Sequence, residues 1–116
     1  MSYDSKARSY YSSGSIADYE TVGNTYADVG TWAIGHYGTK RMRFSAADND
    51  LLVQILGSFD EGVTYPITVV SEFSVTTSTP VVQTITALYT HLKVQADPAV
   101  DNNHGILSTT HVGWSR

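Results

Sequence analysis

From Tyr26 to the C-terminus, apolar and polar residues alternate in short runs separated by clusters of Gly, Pro, Asn, Asp and Ser. Successive side chains of a strand point to opposite faces, so this period predicts strands that bury one face. Tyr26 to Ile34 reads as a strand carrying Val29 and Trp32. Arg41 to Ala46 places Met42, Phe44 and Ala46 inward, and Leu51 to Phe59 places Leu51, Val53, Ile55 and Phe59 on one face. Val63 to Val70 and Phe73 to Thr77 are rich in β-branched residues, with Pro66 marking an edge or a bulge. Val81 to Thr86 follows, then Thr90 to Ala96 with Leu92, Val94 and Ala96 inward. Ile106 to Trp114 closes the chain, with Ile106, Val112 and Trp114 expected on one face.

Turn residues mark the connections. They are Gly35-His36-Tyr37-Gly38, Ala47-Asp48-Asn49-Asp50, Asp60-Glu61-Gly62, Ser78-Thr79-Pro80 and the longer stretch from Asp97 to Gly105. Gly62 is placed to supply a positive φ in a hairpin. No long window sustains a helical period. Seven to eight short strands at spacings of about 8–12 residues imply an all-β fold, an antiparallel β-sandwich of jelly-roll or immunoglobulin-like type. This domain is expected over residues 25–116.

Residues 1–24 have a different character. Ser and Tyr dominate, and Ile16 and Val22 are the large aliphatics. Such a segment buries too little apolar surface to offset its own ordering, which predicts a flexible arm. It also holds Tyr3, Tyr10, Tyr11 and Tyr19, together with Arg8. Tyrosine gives contact area at low entropic cost, so the arm is suited to ordering on a neighbouring subunit.

A length of 116 residues fits one domain. The formal charge of −4 argues against nucleic acid as a partner, since phosphate binding needs clustered cations. Lys40-Arg41-Met42-Arg43 is the densest cationic run, and it reads as the solvated face of a strand with Met42 on the other side. There is no Cys, which rules out disulfides and thiolate chemistry. The polar start Met1-Ser2-Tyr3-Asp4 carries no signal core, and no apolar run has the length of a membrane span. The expectation is synthesis in a cytoplasm, with no membrane partner.

Candidate chemistry is sparse. Asp48-Asn49-Asp50 could hold a hard cation, but the calcium-loop pattern is missing and Asp and Asn are ordinary turn formers. His36, His91, His104 and His111 raise a zinc site, which would need two of them to face each other with a carboxylate. Neither Gly14-Ser15 nor Gly57-Ser58 sits in a nucleophile elbow. Asp60 and Glu61 are adjacent in a turn and diverge, unlike a glycosidase pair. Trp32, Tyr37, Tyr65, Tyr89 and Trp114 could form a sugar-stacking platform, although aromatics in strands usually serve packing. No catalytic residue, metal ligand or cofactor site is assigned, and the chain is expected not to be an enzyme.

Three segments carry a resemblance: Asp28-Val29-Gly30-Thr31-Trp32, Leu51 through Gly62, and Tyr89-Thr90-His91-Leu92-Lys93-Val94-Gln95. Together the region 26–116 resembles the small β-sandwich virion structural proteins of tailed bacteriophages, in particular capsid decoration or cement proteins. The resemblance is one of strands and turns. It implies a virion location, with the major capsid protein or other virion proteins as partners and self-association. On that expectation the arm residues Tyr3, Arg8, Tyr10, Tyr11 and Tyr19 would carry shell binding. The alternatives are a neck or tail component, or a carbohydrate-binding module recognising a surface glycan.

Overall fold

The structure, a computed structural model, describes residues 11–23, 26–33, 39–86, 89–99 and 103–114; at 11–23, 103, 104 and 114 the description is of the backbone. Among these residues the chain forms eight strands: β1 (Tyr11–Gly23), β2 (Ala27–Ala33), β3 (Thr39–Ala47), β4 (Leu51–Ser58), β5 (Ile67–Val75), β6 (Val81–Ile85), β7 (His91–Pro98) and β8 (Asn103–Trp114). The pairings are nested. β4 pairs with β5, β3 with β6, β2 with β7 and β1 with β8, all antiparallel. The chain is thus one long hairpin of four strands out and four back. Two further ladders, β3–β8 and β4–β7, roll that hairpin into two four-stranded sheets. The first sheet has the order β1-β8-β3-β6 and the second β2-β7-β4-β5. This rolled hairpin is the jelly roll, one of the two sandwich types that the strand spacing allows.

The core lies between the sheets. Met42 and Phe44 of β3, Leu51, Val53 and Ile55 of β4, Val75 of β5, Leu92, Val94 and Ala96 of β7 and Leu107 of β8 are buried. Two ring contacts bridge the layers. Phe44 meets Phe73 edge-on at 5.4 Å, and Trp32 lies 4.0 Å from His111. Burial pushes the His111 pKa down and favours the neutral ring.

Several expectations are corrected. The segment 11–23 is not a free arm but β1, hydrogen-bonded along β8 with one irregularity between Ser15 and Ala17. Composition misses it because a neighbouring ladder, not its own apolar surface, offsets the entropy of ordering. Residues 1–10 and 24 lie outside the described residues. In β8 the inward face is Gly105, Leu107, Thr109, His111 and Gly113, one residue out of phase with the expected Ile106 and Val112. The reason is crowding: a Cβ at Gly105 would stand 2.6 Å from Leu51 Cδ2, so β8 offers small residues to the opposing large ones. Lys40 shares the inner face with Met42 and is fully buried, whereas Arg41 and Arg43 are exposed. Burial holds its pKa below the usual lysine range. Phe59 follows the end of β4 and is 63% exposed rather than inward. Residues 63–66 are loop, and the two expected strands around 63–77 are the single strand β5.

The innermost turn of the hairpin, between β4 and β5, is built on Ser58 and Asp60. Ser58 Oγ donates to Asp60 Oδ1 at 2.6 Å and accepts from the Gly62 amide at 2.9 Å. Asp60 Oδ1 also accepts the Thr64 amide at 2.9 Å, and Oδ2 accepts the Thr64 hydroxyl at 2.5 Å. Glu61 and Gly62 adopt φ of 62° and 88°, the latter the positive φ expected of that glycine. From the β6–β7 connection, Thr90 Oγ1 accepts the Glu61 amide at 3.0 Å and donates to the Ser58 carbonyl at 3.1 Å. Hydrogen bonds from Ser58 and then Thr64 hold the Asp60 carboxyl far below the usual range.

Two predictions follow from these placements. Leu107→Ala should lower unfolding stability by about 2–5 kcal/mol in urea, and Ile106→Ala by less than half as much; the reverse order would place β8 in the other phase. Because the Asp60 pKa is depressed, its contribution is complete above the unfolded value of about 3.9 and is lost as pH falls through the lower folded value. The Thr64 amide resonance should therefore titrate with a midpoint below the usual Asp range, and Asp60→Asn should abolish that titration. A midpoint at the ordinary Asp value would contradict the turn geometry.

Candidate functional site

Three surfaces of the sandwich present side chains that could act. The first is the end formed by the β4–β5 turn and the residues before β7. Phe59 and Val63 project from it, 63% and 80% exposed. The bonds around Asp60 fix the backbone that carries them. Phe59 also leans on Tyr89, with ring centroids 5.3 Å apart. Tyr89 in turn packs over Gly57, where a Cβ would stand 2.8 Å from Tyr89 Cδ1 and 2.8 Å from Val69 Cγ2. An apolar tip on a rigid support is a contact surface ready-made: little entropy remains to be lost on docking. Tyr11 at the start of β1 is opposite Trp114, which in turn is opposite Thr39, so β1 begins at this same end.

The second surface is the outer face of the β2-β7-β4-β5 sheet. Register aligns Asp28 of β2 with Gln95 of β7, and Gln95 with Gln54 of β4. Gln54 Nε2 donates to Gln95 Oε1 at 2.6 Å, and Gln95 Nε2 donates to Asp28 Oδ1 at 2.7 Å. Lys93 forms an ion pair with Asp28 Oδ2 at 3.2 Å and stands over the Tyr65 ring at 4.5 Å. The hydrogen bond from Gln95, ahead of those from Lys93, lowers the Asp28 pKa. Tyr26 precedes β2 at one edge, yet its hydroxyl reaches Glu72 on β5 at the other, with an O–O distance of 2.5 Å. Its ring therefore lies across the sheet face. Desolvation, then the Glu72 contact, raises the Tyr26 pKa, and Asp97 on β7 adds to the shift.

The third is the opposite end. A cleft of about 220 Å³ is lined by Asp48, Asn49, Asp50, Thr77 and Ala99. Asp50 Oδ1 accepts the Thr77 amide at 3.0 Å, and the Asp50 carbonyl accepts the Ala99 amide at 3.0 Å. Asp48 takes a φ of 74°. The run thus works as turn chemistry joining three connections.

The residues singled out from sequence fall as follows. Tyr3, Arg8 and Tyr10 lie outside the described residues, while Tyr11 and Tyr19 are placed on β1. His91 sits on the outer face of the second sheet and His111 faces inward from the first, so this pair does not converge on a metal. Among the described residues no group of three metal-ligating side chains occurs. His36 lies outside them, as does the His104 side chain. Trp32 is 7% exposed and packs in the core, which removes it from any stacking platform. Tyr65 and Tyr89 are half-buried and flank different surfaces. Sequence reasoning missed Phe59 and Val63 as exposed and missed the Asp28–Gln95–Gln54 row, which depends on strand register.

No protein-family model matches the chain, and no curated protein matches it. Solved structures do. Tripeptidyl peptidase 2 contains a similar fold, with a TM-score of 0.62 and 10% identity over 87% of this chain; this chain spans 10% of that one. The SPBc2 prophage-derived protein YomS aligns with a TM-score of 0.58 and 9% identity, covering 92% of this chain and 95% of its own. The infectious bursal disease virus Gx strain structure gives 0.54 and 14% over 94% of this chain and 33% of that one. A subunit of the disulfide-linked pili of Bacillus endospore appendages gives 0.53 and 14%, with 100% and 98% covered. At these identities the similarity is one of fold. Among the described residues no helix is long and apolar enough to cross a membrane.

Proposed function

We propose that this chain is a non-enzymatic structural protein of a virion, a capsid decoration protein that docks on the shell and stabilises it. The observation that carries the reading is the apolar tip of Phe59 and Val63, exposed on a turn whose backbone is locked through Asp60. Two large apolar side chains carried on one fixed turn are placed for burial by a partner, and apolar anchors of this kind supply most of the binding energy of an interface. Fold analogy supports it: jelly rolls occur in virus particles, and the solved structures of similar fold include a virus and a prophage-derived protein. The proposed partners are the major capsid protein and neighbouring copies of this chain. β1 begins at the tip end, and Tyr3, Arg8 and Tyr10, which precede it in sequence, are proposed to extend the contact together with Tyr11 and Tyr19 of the edge strand. Among the described residues no strand pairs with the outer side of that edge strand, β1, and a neighbour could add there.

The test is co-sedimentation with particles purified from the same source. Phe59→Ser combined with Val63→Ser removes apolar contact without touching the core. Particle binding should weaken by at least about tenfold while the melting transition stays cooperative and unshifted. Full binding by a folded double variant would rule out the tip as the docking surface.

A further inference from the structure

The outer face of the β2-β7-β4-β5 sheet carries an arrangement that shell docking does not use. Three polar side chains from three adjacent strands form one directed row, Gln54 to Gln95 to Asp28, at 2.6 and 2.7 Å. The carboxylate pins one end, so both amides are oriented the same way. Each Nε2 uses one of its two N–H groups within the row, and Gln54 Oε1 has no hydrogen-bond partner among the described residues. Donors and an acceptor thus stand open side by side, at positions fixed by strand spacing. That is the pattern a vicinal pair of hydroxyls would match, since each hydroxyl both donates and accepts.

Two rings flank the row along the strand direction. The Tyr26 ring lies across the sheet on one side, held by Glu72, and Tyr65 lies on the other, beneath Lys93. Ring faces set beside oriented amides suit a ligand with apolar C–H faces and a hydroxylated edge. Charge narrows the class. Asp28, Asp97 and Glu72 share this face with Lys93, three carboxylates with one ammonium, so the face carries a net charge of about −2 at neutral pH. Phosphate, sulfate and sialylated ligands are disfavoured there.

We propose that this sheet face is a binding site for a neutral glycan chain, with Asp28, Gln54 and Gln95 bonding hydroxyls, the Tyr26 ring stacking on a sugar face, and Tyr65 under Lys93 bounding the other end of the row. The site is separate from the Phe59 tip and stands independently of the docking proposal.

The experiment is a titration of ¹⁵N-labelled protein with neutral hexasaccharides: cellohexaose, laminarihexaose, maltohexaose and chitohexaose. A heparin hexasaccharide serves as the anionic control. At least one neutral oligosaccharide should shift the Gln54 and Gln95 side-chain amide resonances saturably, and heparin should not. Gln95→Ala should weaken that binding by roughly tenfold, the loss of about one well-made hydrogen bond. Val82→Ser, on the other sheet, should leave it unchanged. The inference is overturned if no neutral hexasaccharide shifts these amides, or if a folded variant combining Gln54→Ala and Gln95→Ala binds as the parent does.

Discussion

The innermost hairpin of the molecule closes around one carboxylate. Asp60 closes the β4–β5 turn by accepting from Ser58 and Thr64, and every other strand pair is nested outside that turn. A one-residue slip in a strand pair would turn its side chains to the opposite face. The β4–β5 ladder that follows the turn takes up two register irregularities, between Val53 and Ile55 and between Ile55 and Leu56, and still sets Leu51 opposite Val75. Thr90 ties the same turn to the start of β7, so the innermost hairpin is also fastened to the strand beside it. Around this hairpin, Phe44, Leu51, Val53, Ile55, Leu92, Val94 and Leu107 all meet between the sheets.

The same constraint shapes the surface. The turn that closes the innermost hairpin also orients Phe59 and Val63 outward, while the β4–β7 and β2–β7 ladders bring Gln54, Gln95 and Asp28 into line. Fold and candidate sites are therefore not separable features. One end of the sandwich is an apolar tip on a rigid mount. The outer face of the second sheet is a polar row between two rings. The two surfaces differ in chemistry, and each suits a different kind of contact.

Much of this architecture is legible in the residues. β3, β4 and β7 alternate cleanly, and Met42, Phe44, Leu51, Val53, Ile55, Leu92, Val94 and Ala96 are oriented as the period requires. The Asp60-Glu61-Gly62 hairpin is also readable, because Gly62 supplies a positive φ. What escapes is set by partners. β1 has little apolar pattern and is ordered through pairing with β8. In β8, Ile106 and Leu107 are adjacent, so periodicity cannot choose the phase; the bulk of Leu51 opposite Gly105 does. Phe59 continues the β4 alternation on paper but lies one residue beyond the last ladder pair. The Asp28–Gln95–Gln54 row spans three strands far apart in sequence, and only their register reveals it.

The Asp60-anchored tip is the surface proposed to meet the particle. Amide hydrogen exchange read by mass spectrometry, on the free protein and on protein bound to purified particles, tests it most directly. New protection is expected in a peptide covering residues 59–65, with exchange across the outer face of the second sheet unchanged. Protection confined to other surfaces, with 59–65 exchanging as in the free protein, would contradict it.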